Sequence, residues 1–152
     1  MITLLYGSER EKVLAAFSIY ESEKNYQIDV PRIIYGINFS HEYQTLFDPV
    51  KIHDLFYADH YSLFMHDCLD YYGKQTKKDR IQEKKEHNFL LLVKRSMRRD
   101  TDIYISSSSF SDFGLAIKKY MIAKIECKNI NGHTVGDYLL LRTGEKNRMI
   151  LD

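Results

Sequence analysis

Two apolar runs that each end in polar residues, with a helical pattern between them, constrain this chain most. The first run, Tyr61 to Met65, ends on His66-Asp67-Cys68, and the second, Asp102 to Ile105, ends on the four serines Ser106 to Ser109. The residues from about Arg80 to Arg99 carry the helical pattern that connects them. A strand–helix–strand unit of this kind is typical of α/β folds, whose functional site lies at the carboxyl edge of a parallel sheet. The sequence therefore predicts that both polar exits lie at one such edge.

The remaining pattern predicts the rest of an α/β domain. Ile2 to Tyr6 is an apolar run that Gly7 interrupts, and a helix is expected from Ser8, with Glu11 placed as in a capping box. The Asn131-Gly132 pair is a strong hairpin signal. The other expected elements are strands over Arg32 to Phe39, Ile122 to Cys127 and Tyr138 to Leu141, and a polar tail over residues 143–152. We predict one three-layer α/β/α domain over residues 1–152, with a mainly parallel sheet of about four strands and a C-terminal β-hairpin.

Composition and charge exclude several classes of protein. The net charge of +1 provides no overall basic field for nucleic acid, although local patches can exist. Cys68 and Cys127 are far apart and form no CxxC motif, which argues against a disulfide scaffold or a zinc knuckle and fits a reducing compartment. No apolar run approaches about 18 residues, and the first residues lack the pattern of a signal peptide. We expect a cytoplasmic protein without a membrane partner.

Polar residues around the end of the first apolar run suggest two kinds of site. Zinc accepts the atom types that His60, His66, Asp67 and Cys68 offer. Successive side chains on a strand point to opposite faces, however, so at most two of residues 66–68 share a face. Cys68 would act as a nucleophile only with a base and an oxyanion site, and no signature indicates either. We therefore predict no metal site and no catalytic residue.

A basic run lies between the two apolar runs and consists of Lys74, Lys77, Lys78, Arg80, Lys84 and Lys85. The acidic residues Asp79, Glu83 and Glu86 interleave with it, so a solvated loop and helix start is the favoured interpretation. The alternative is contact with a nucleic-acid backbone, with Tyr71 and Tyr72 stacking on the bases of a single strand. The nucleic-acid-binding candidates are Lys77, Lys78, Arg80, Lys84, Arg95, Arg98 and Arg99.

Several stretches of the chain follow one another in the order of a known family. They are the apolar run Leu63 to Met65 ending on Asp67, the pair Asp79-Arg80, the stretch Arg98 to Ser106, the turn Phe110 to Asp112, and the basic pair Lys118-Lys119. In this order the chain resembles P-loop NTPases of the class with an additional strand between the two Walker strands. Over about residues 2–142 it is similar to small DNA-translocating and genome-packaging ATPases, including those of archaeal viruses. The resemblance implies a nucleotide site at Gly7, Lys12, Asp67 and Ser106.

The chain departs from that family where the chemistry is most demanding. A phosphate-binding loop has the form G-x-x-x-x-G-K-[ST], because glycines let backbone N–H groups wrap phosphate and the hydroxyl binds Mg²⁺. If Lys12 stands for the lysine, Glu11 replaces the second glycine and Val13 replaces the metal ligand. Glu9 and Glu11 also place negative charge where phosphate should lie. Cys68 stands where the water-activating carboxylate belongs. The resemblance therefore implies a degenerate domain whose nucleotide site is vestigial.

These features together favour a non-enzymatic role. We expect a P-loop-like domain without a cofactor that binds a protein partner or further copies of itself, with DNA as an additional candidate partner. The resemblance would suit an accessory protein of a virus or mobile element, acting inside the host cell. One alternative is a working DNA-translocating or packaging ATPase with an atypical loop, which would use ATP and Mg²⁺. Another is a small nucleic-acid-binding protein that uses the basic run.

Overall fold

The computed structural model describes residues 2–24, 33–35, 62–67 and 102–151, together with the two positions 87 and 94. Cys68 and all seven predicted nucleic-acid-binding residues lie outside the described residues, and so does the predicted helix between the two apolar runs apart from positions 87 and 94. In the described ranges no helix is long and apolar enough to cross a bilayer.

A seven-stranded sheet organises the described part of the chain, in the order β2-β3-β4-β1-β5-β6-β7. Its strands are β1 (Ile2–Tyr6), β2 (Ile33–Tyr35), β3 (Ser62–His66), β4 (Asp102–Ser107), β5 (Met121–Ile130), β6 (His133–Leu140) and β7 (Lys146–Ile150). The strands from β2 to β5 in this order pair in parallel. The strands β6 and β7 continue the sheet by antiparallel pairing. The predicted α/β fold with a mainly parallel sheet and a C-terminal hairpin is therefore confirmed.

The position of β4 fixes the architecture of the sheet. It lies between β1 and β3, which are the two strands that the resemblance assigns to the Walker motifs. Tyr6 at the end of β1 pairs with Ser107, and His66 at the end of β3 pairs with Ser106. Because all three strands are parallel, their carboxyl ends lie side by side at one edge. The prediction that Asp67 and Ser106 leave the sheet at the same edge is confirmed.

Both faces of the parallel strands are covered. Helix α1 (Arg10–Lys24) packs its buried Val13 and Leu14 on one face. On that face the rings of Phe64 and Tyr104 stack with centroids 4.8 Å apart. This core cluster comprises Leu5, Val13, Leu14, Phe64, Tyr104, Ile125 and Cys127. The continuous apolarity of β1 and β4 follows from this burial, because a strand covered on both faces has no solvent side.

The second face carries the segment that connects β4 to β5. It contains a 3-10 turn, Phe110–Asp112, and the short helix α2, Leu115–Lys118. Tyr6, whose side chain points away from the α1 face, packs against the Phe110 ring with centroids 5.3 Å apart. Phe113 and Ile117 of this segment are fully or almost fully buried. The Phe110–Lys118 segment is thus the opposite layer of the described domain.

The predicted hairpin forms at the predicted residues. Asn131 has a φ of 52° and Gly132 a φ of 82°, so both residues adopt the left-handed conformation that a type I′ turn requires. The two strands are longer than predicted, because pairing continues to the turn through polar residues such as Asn129 and Thr134. The strand β5 has a second role, since its other edge pairs in parallel with β1.

The polar tail predicted after residue 143 is wrong, because Lys146–Ile150 forms strand β7. Asp137 on β6 accepts hydrogen bonds from Arg148 Nε at 2.7 Å and Nη2 at 3.1 Å, and forms an ion pair with Lys128 on β5 at 2.9 Å. Met149 and Leu151 pack against the α1-face core. The strand is thus held by its backbone pairing with β6, by the ion pair between Arg148 and Asp137, and by two apolar contacts. A mostly exposed strand has little apolar periodicity from which it could be predicted.

Acidification should loosen this three-strand region. Hydrogen bonds from Arg148 and Lys128 lower the pKa of Asp137 from 3.8 to about 2. Since the folded-state pKa lies below the ordinary value, the carboxylate stabilises the fold at neutral pH, and this contribution is lost as the pH falls from about 4 to about 2. Asp137→Asn should therefore lower the free energy of unfolding by roughly 1 kcal/mol at pH 7 and by much less near pH 2.

Urea unfolding at the two pH values measures this difference. The matched control is Glu145→Gln in the adjacent turn, which removes the same charge from an exposed carboxylate that accepts a hydrogen bond from Asn147. It should change stability by less than ~0.5 kcal/mol at both pH values. A loss in Asp137→Asn that is equally large at both pH values would contradict the assignment of the effect to the ionised carboxylate.

Candidate functional site

Three strand exits are bonded to one another at the carboxyl edge of the sheet. The N–H of Gly7, after β1, donates to the carbonyl of Ser108, after β4, at 3.2 Å. The N–H of Asp67, after β3, donates to both the carbonyl and the hydroxyl of Ser106, each at 3.2 Å. Ser106 is completely buried. These bonds hold the first residues after each strand in fixed positions.

A bidentate ion pair closes this edge. Arg10, the first residue of α1, donates from Nε to Oδ1 of Asp67 at 2.8 Å and from Nη2 to Oδ2 at 2.9 Å. Its third nitrogen, Nη1, donates to the carbonyl of Gly7 at 2.9 Å. The hydrogen bonds to Asp67 raise the pKa of Arg10 above its ordinary value. The planar guanidinium matches the carboxylate geometry, so both Asp67 oxygens are engaged by one side chain.

The backbone of Asp67 is itself unusual. Its φ of 50° lies in the left-handed region, which aspartate tolerates better than most residues with a side chain. Such conformations persist where the surrounding structure fixes them. Here the Ser106 carbonyl and hydroxyl hold the N–H, and Arg10 holds the carboxylate. The conformation aims the carboxylate back at the start of α1.

His66 extends the network. Its Nδ1 lies 2.8 Å from the hydroxyl of Ser106, and its Nε2 lies 3.3 Å from Oδ2 of Asp67 and 4.0 Å from a carboxylate oxygen of Glu11. The ring of His66 therefore bridges the hydroxyl of Ser106 and the carboxylate of Asp67.

Three backbone N–H groups at the turn between β1 and α1 are hydrogen-bonded to carbonyls of the protein. The N–H groups of Gly7, Glu9 and Arg10 donate to the carbonyls of Ser108, Cys127 and Gly7 at 3.2, 3.3 and 3.4 Å. A phosphate-binding loop works because such N–H groups point at the ligand instead. The turn is also short, since α1 already begins at Arg10, two residues after the predicted start at Ser8. The turn therefore joins a strand to a helix as a P-loop does, with these three N–H groups bonded to carbonyls of the protein.

The predicted nucleotide-site residues separate into two groups. Gly7, Asp67 and Ser106 come together at the sheet edge. Lys12 instead pairs with Glu9 at 3.2 Å, and its side chain is 65% exposed. Glu9 in turn accepts hydrogen bonds from Asn129 and Thr134 of the hairpin. The cation at the edge is Arg10, which the sequence analysis missed because the motif was aligned on Lys12 and no motif marks Arg10.

The serines after β4 have a structural explanation. One carboxylate oxygen of Asp112 accepts from the hydroxyls of Ser107 at 2.8 Å and Ser108 at 3.0 Å, and from the N–H of Ser109 at 3.2 Å. Ser109 completes a capping box at the start of the 3-10 turn. The serine run and the Phe110–Asp112 turn therefore form one locally bonded unit next to Gly7.

The described residues offer few groups for metal binding or thiol chemistry. Among the described residues, no three His, Cys, Asp or Glu side chains lie close enough together to hold a metal ion. His60 and Cys68, which the sequence analysis considered for zinc, lie outside the described residues. Cys127 is buried, and burial raises the pKa of its thiol to about 12. A thiol with that pKa is protonated and is a poor nucleophile at neutral pH.

Comparisons with known proteins give similarity at the level of structure. No protein-family model and no curated protein sequence matches the chain. The N-terminal domain of zonular occludens toxin from Neisseria meningitidis aligns with a TM-score of 0.59 at 9% identity, over 99% of this chain and 93% of that one. The genome packaging NTPase B204 from Sulfolobus turreted icosahedral virus 2, in complex with ATPγS, aligns with a TM-score of 0.60 at 8% identity, over 97% and 95%. Its AMP complex aligns with a TM-score of 0.56.

The chain has a P-loop NTPase-like fold. The similarity covers nearly the whole of each chain, and the strand order with β4 between β1 and β3 agrees with it. At 8–9% identity the similarity concerns the fold alone. The structure thus supports the resemblance to packaging ATPases that was inferred from the sequence. The chemistry of the sheet edge depends on this chain's own residues.

Replacement of Gly7 should destabilise the domain strongly. Gly7 has a φ of 104°, and a Cβ there would overlap the carbonyl oxygen of Cys127. Gly7→Ala should therefore lower the free energy of unfolding by ~3 kcal/mol or more. The control is Gly144→Ala, where φ is 70° but no atom lies within 4 Å of the added Cβ, so only the backbone strain of ~1 kcal/mol applies. Equal losses in urea unfolding would contradict the close approach of Gly7 to β5.

The ion pair at the edge should contribute measurably to stability. Arg10→Ala removes two charge-assisted bonds from a half-buried carboxylate and should cost about 1–3 kcal/mol in urea unfolding. Arg10→Lys keeps the charge without the planar fork and should fall between wild type and Arg10→Ala. The matched control is Lys12→Ala, whose exposed pair with Glu9 is worth less than ~0.5 kcal/mol. If Lys12→Ala and Arg10→Ala lost the same amount, the edge pair would have no special role.

Proposed function

We propose that this chain is a P-loop-like domain without NTPase activity that acts through binding, either to a protein partner or to further copies of itself, and in association with nucleic acid. The observation that carries this proposal is the bidentate pair between Arg10 and Asp67. It engages the acidic residue that the resemblance places at the Walker B position. The same pair lies beside the turn that the resemblance assigns to phosphate.

Nucleotide binding would require this arrangement to be undone. A magnesium ion prefers oxygen ligands in near-octahedral geometry, and both oxygens of Asp67 already accept from Arg10. Phosphate would need free backbone donors, and those of Gly7, Glu9 and Arg10 are bonded to carbonyls. Neither Val13 nor Glu11 supplies the missing hydroxyl or glycine. Each of these requirements fails for a separate reason, which is why loss of hydrolysis is the better supported conclusion.

The runner-up is a working ATPase of the DNA-translocating or packaging type. It is favoured by one observation, namely that a guanidinium and a carboxylate lie together at the N-terminus of α1. A nucleotide that drew Arg10 onto its phosphates would release Asp67 toward Mg²⁺. That mechanism gives ATP and Mg²⁺ a role as cofactors and requires the edge to rearrange. The third candidate, a small nucleic-acid-binding protein, rests on the basic run of the sequence.

Thermal unfolding with ATP and Mg²⁺ distinguishes the first two roles. A ligand present at 100 times its Kd stabilises a protein by about 2.7 kcal/mol, so binding with a Kd of ~10 μM gives a clear shift at ~1 mM ATP. We expect no shift of Tm and no release of phosphate. A shift together with turnover that disappears in Asp67→Asn would contradict the proposal and favour the ATPase. The control Glu126→Gln removes a charge from β5 and should leave any such turnover unchanged.

A further inference from the structure

Three lysines near the connection between β4 and β5 each lie against an aromatic ring. The ammonium group of Lys118, at the end of α2, lies 4.5 Å from the centroid of the Phe110 ring, and that of Lys124, on β5, lies 4.8 Å from the same centroid. The ammonium group of Lys119 lies 5.9 Å from the Tyr120 ring. In the described part of the chain none of these three lysines has an acidic partner. Among the described residues, their charges are therefore balanced by aromatic rings alone.

Four other cations in the described ranges have acidic partners. Arg10 pairs with Asp67, Lys12 with Glu9, and Lys128 and Arg148 share Asp137. The acidic residue next to Lys124 on the same strand face, Glu126, lies 3.8 Å from Lys128. Within the described ranges, Lys118 and Lys124 lie at one ring without such a partner.

The geometry gathers that charge in a small region. Because two ammonium groups flank one ring centroid at 4.5 and 4.8 Å, they are separated by no more than about one Debye length, ~10 Å at 0.1 M salt. The ring itself is held by Tyr6, at 5.3 Å, and by Phe113, at 6.0 Å between centroids. An ammonium group presents three N–H donors, and a ring face takes up only one side of it. The lysines are thus oriented and still able to donate outward.

We propose that Lys118 and Lys124, at the Phe110 ring, form a binding site for the phosphodiester backbone of nucleic acid, to which Lys119 is adjacent in sequence. Ammonium groups bind phosphate as point charges, and their positioning on aromatic rings reduces the entropy lost on binding. The aromatic faces are occupied by ammonium groups, so the contact is to phosphates and is independent of base sequence. This site rests on the proposed function and gives it a partner class, and it uses none of the seven residues that the sequence predicts for nucleic-acid binding.

Fluorescence anisotropy with labelled DNA of about 20 nucleotides, single-stranded and duplex, tests the site over a range of salt concentrations. The wild-type protein should bind both, more weakly as salt increases. Lys118→Gln/Lys124→Gln should weaken binding about tenfold or more at low salt. The same change should reduce the slope of log K against log salt by about 1.4 for the single strand and 1.8 for the duplex, because each lost phosphate contact removes 0.7 or 0.9.

The charge-matched control is Lys12→Gln/Lys128→Gln, which removes two cations that already have acidic partners. It should bind DNA within about twofold of the wild type. The inference is overturned if the wild type does not bind DNA, if both double variants lose affinity equally, or if polyglutamate binds as tightly as DNA and competes with it. The DNA-binding experiment and the ATP measurement test separate claims, because a failure to bind DNA does not change the result expected with ATP and Mg²⁺.

Discussion

The pair between Arg10 and Asp67 is the interaction on which the carboxyl edge of this sheet depends. One guanidinium joins the first turn of α1, the carbonyl of Gly7 and the exit of β3, three points that are distant in sequence. The carboxylate it holds belongs to a residue in a left-handed backbone conformation, fixed from behind by Ser106. The pair is only partly exposed, so its hydrogen bonds are less screened than those of a surface ion pair.

The same edge combines a P-loop NTPase-like order of strands with contacts made by this chain's own residues. In the P-loop NTPase-like arrangement, the β1 turn and the β3 exit face one another across β4, and here they still do. Between them, Arg10 and Asp67 are paired, and the N–H groups of Gly7 and Glu9 are bonded to the carbonyls of Ser108 and Cys127. An anionic ligand at this edge would have to displace these bonds, and the fold alone does not establish an ATPase.

The strands of the parallel sheet could be predicted because their apolar runs are continuous and because polar residues mark where each one ends. The hairpin could also be predicted, because the Asn131-Gly132 pair specifies its turn locally. Strand β7 was not, because it is stabilised by Arg148 reaching Asp137 on a neighbouring strand rather than by a periodic pattern. Arg10 was missed for a related reason: its role depends on where α1 begins, and that is set by the hydrogen bonds of Gly7 and Glu9 to β4 and β5.

A crystal structure grown with ATPγS and Mg²⁺ tests the central claim most directly, because it shows what occupies the edge when nucleotide is abundant. We expect Arg10 to remain bonded to Asp67 at the distances found here, 2.8 and 2.9 Å, with no phosphate at the turn that begins at Gly7. Phosphates bound by the amides of that turn, with Arg10 displaced and Asp67 directed at a magnesium ion, would contradict the account.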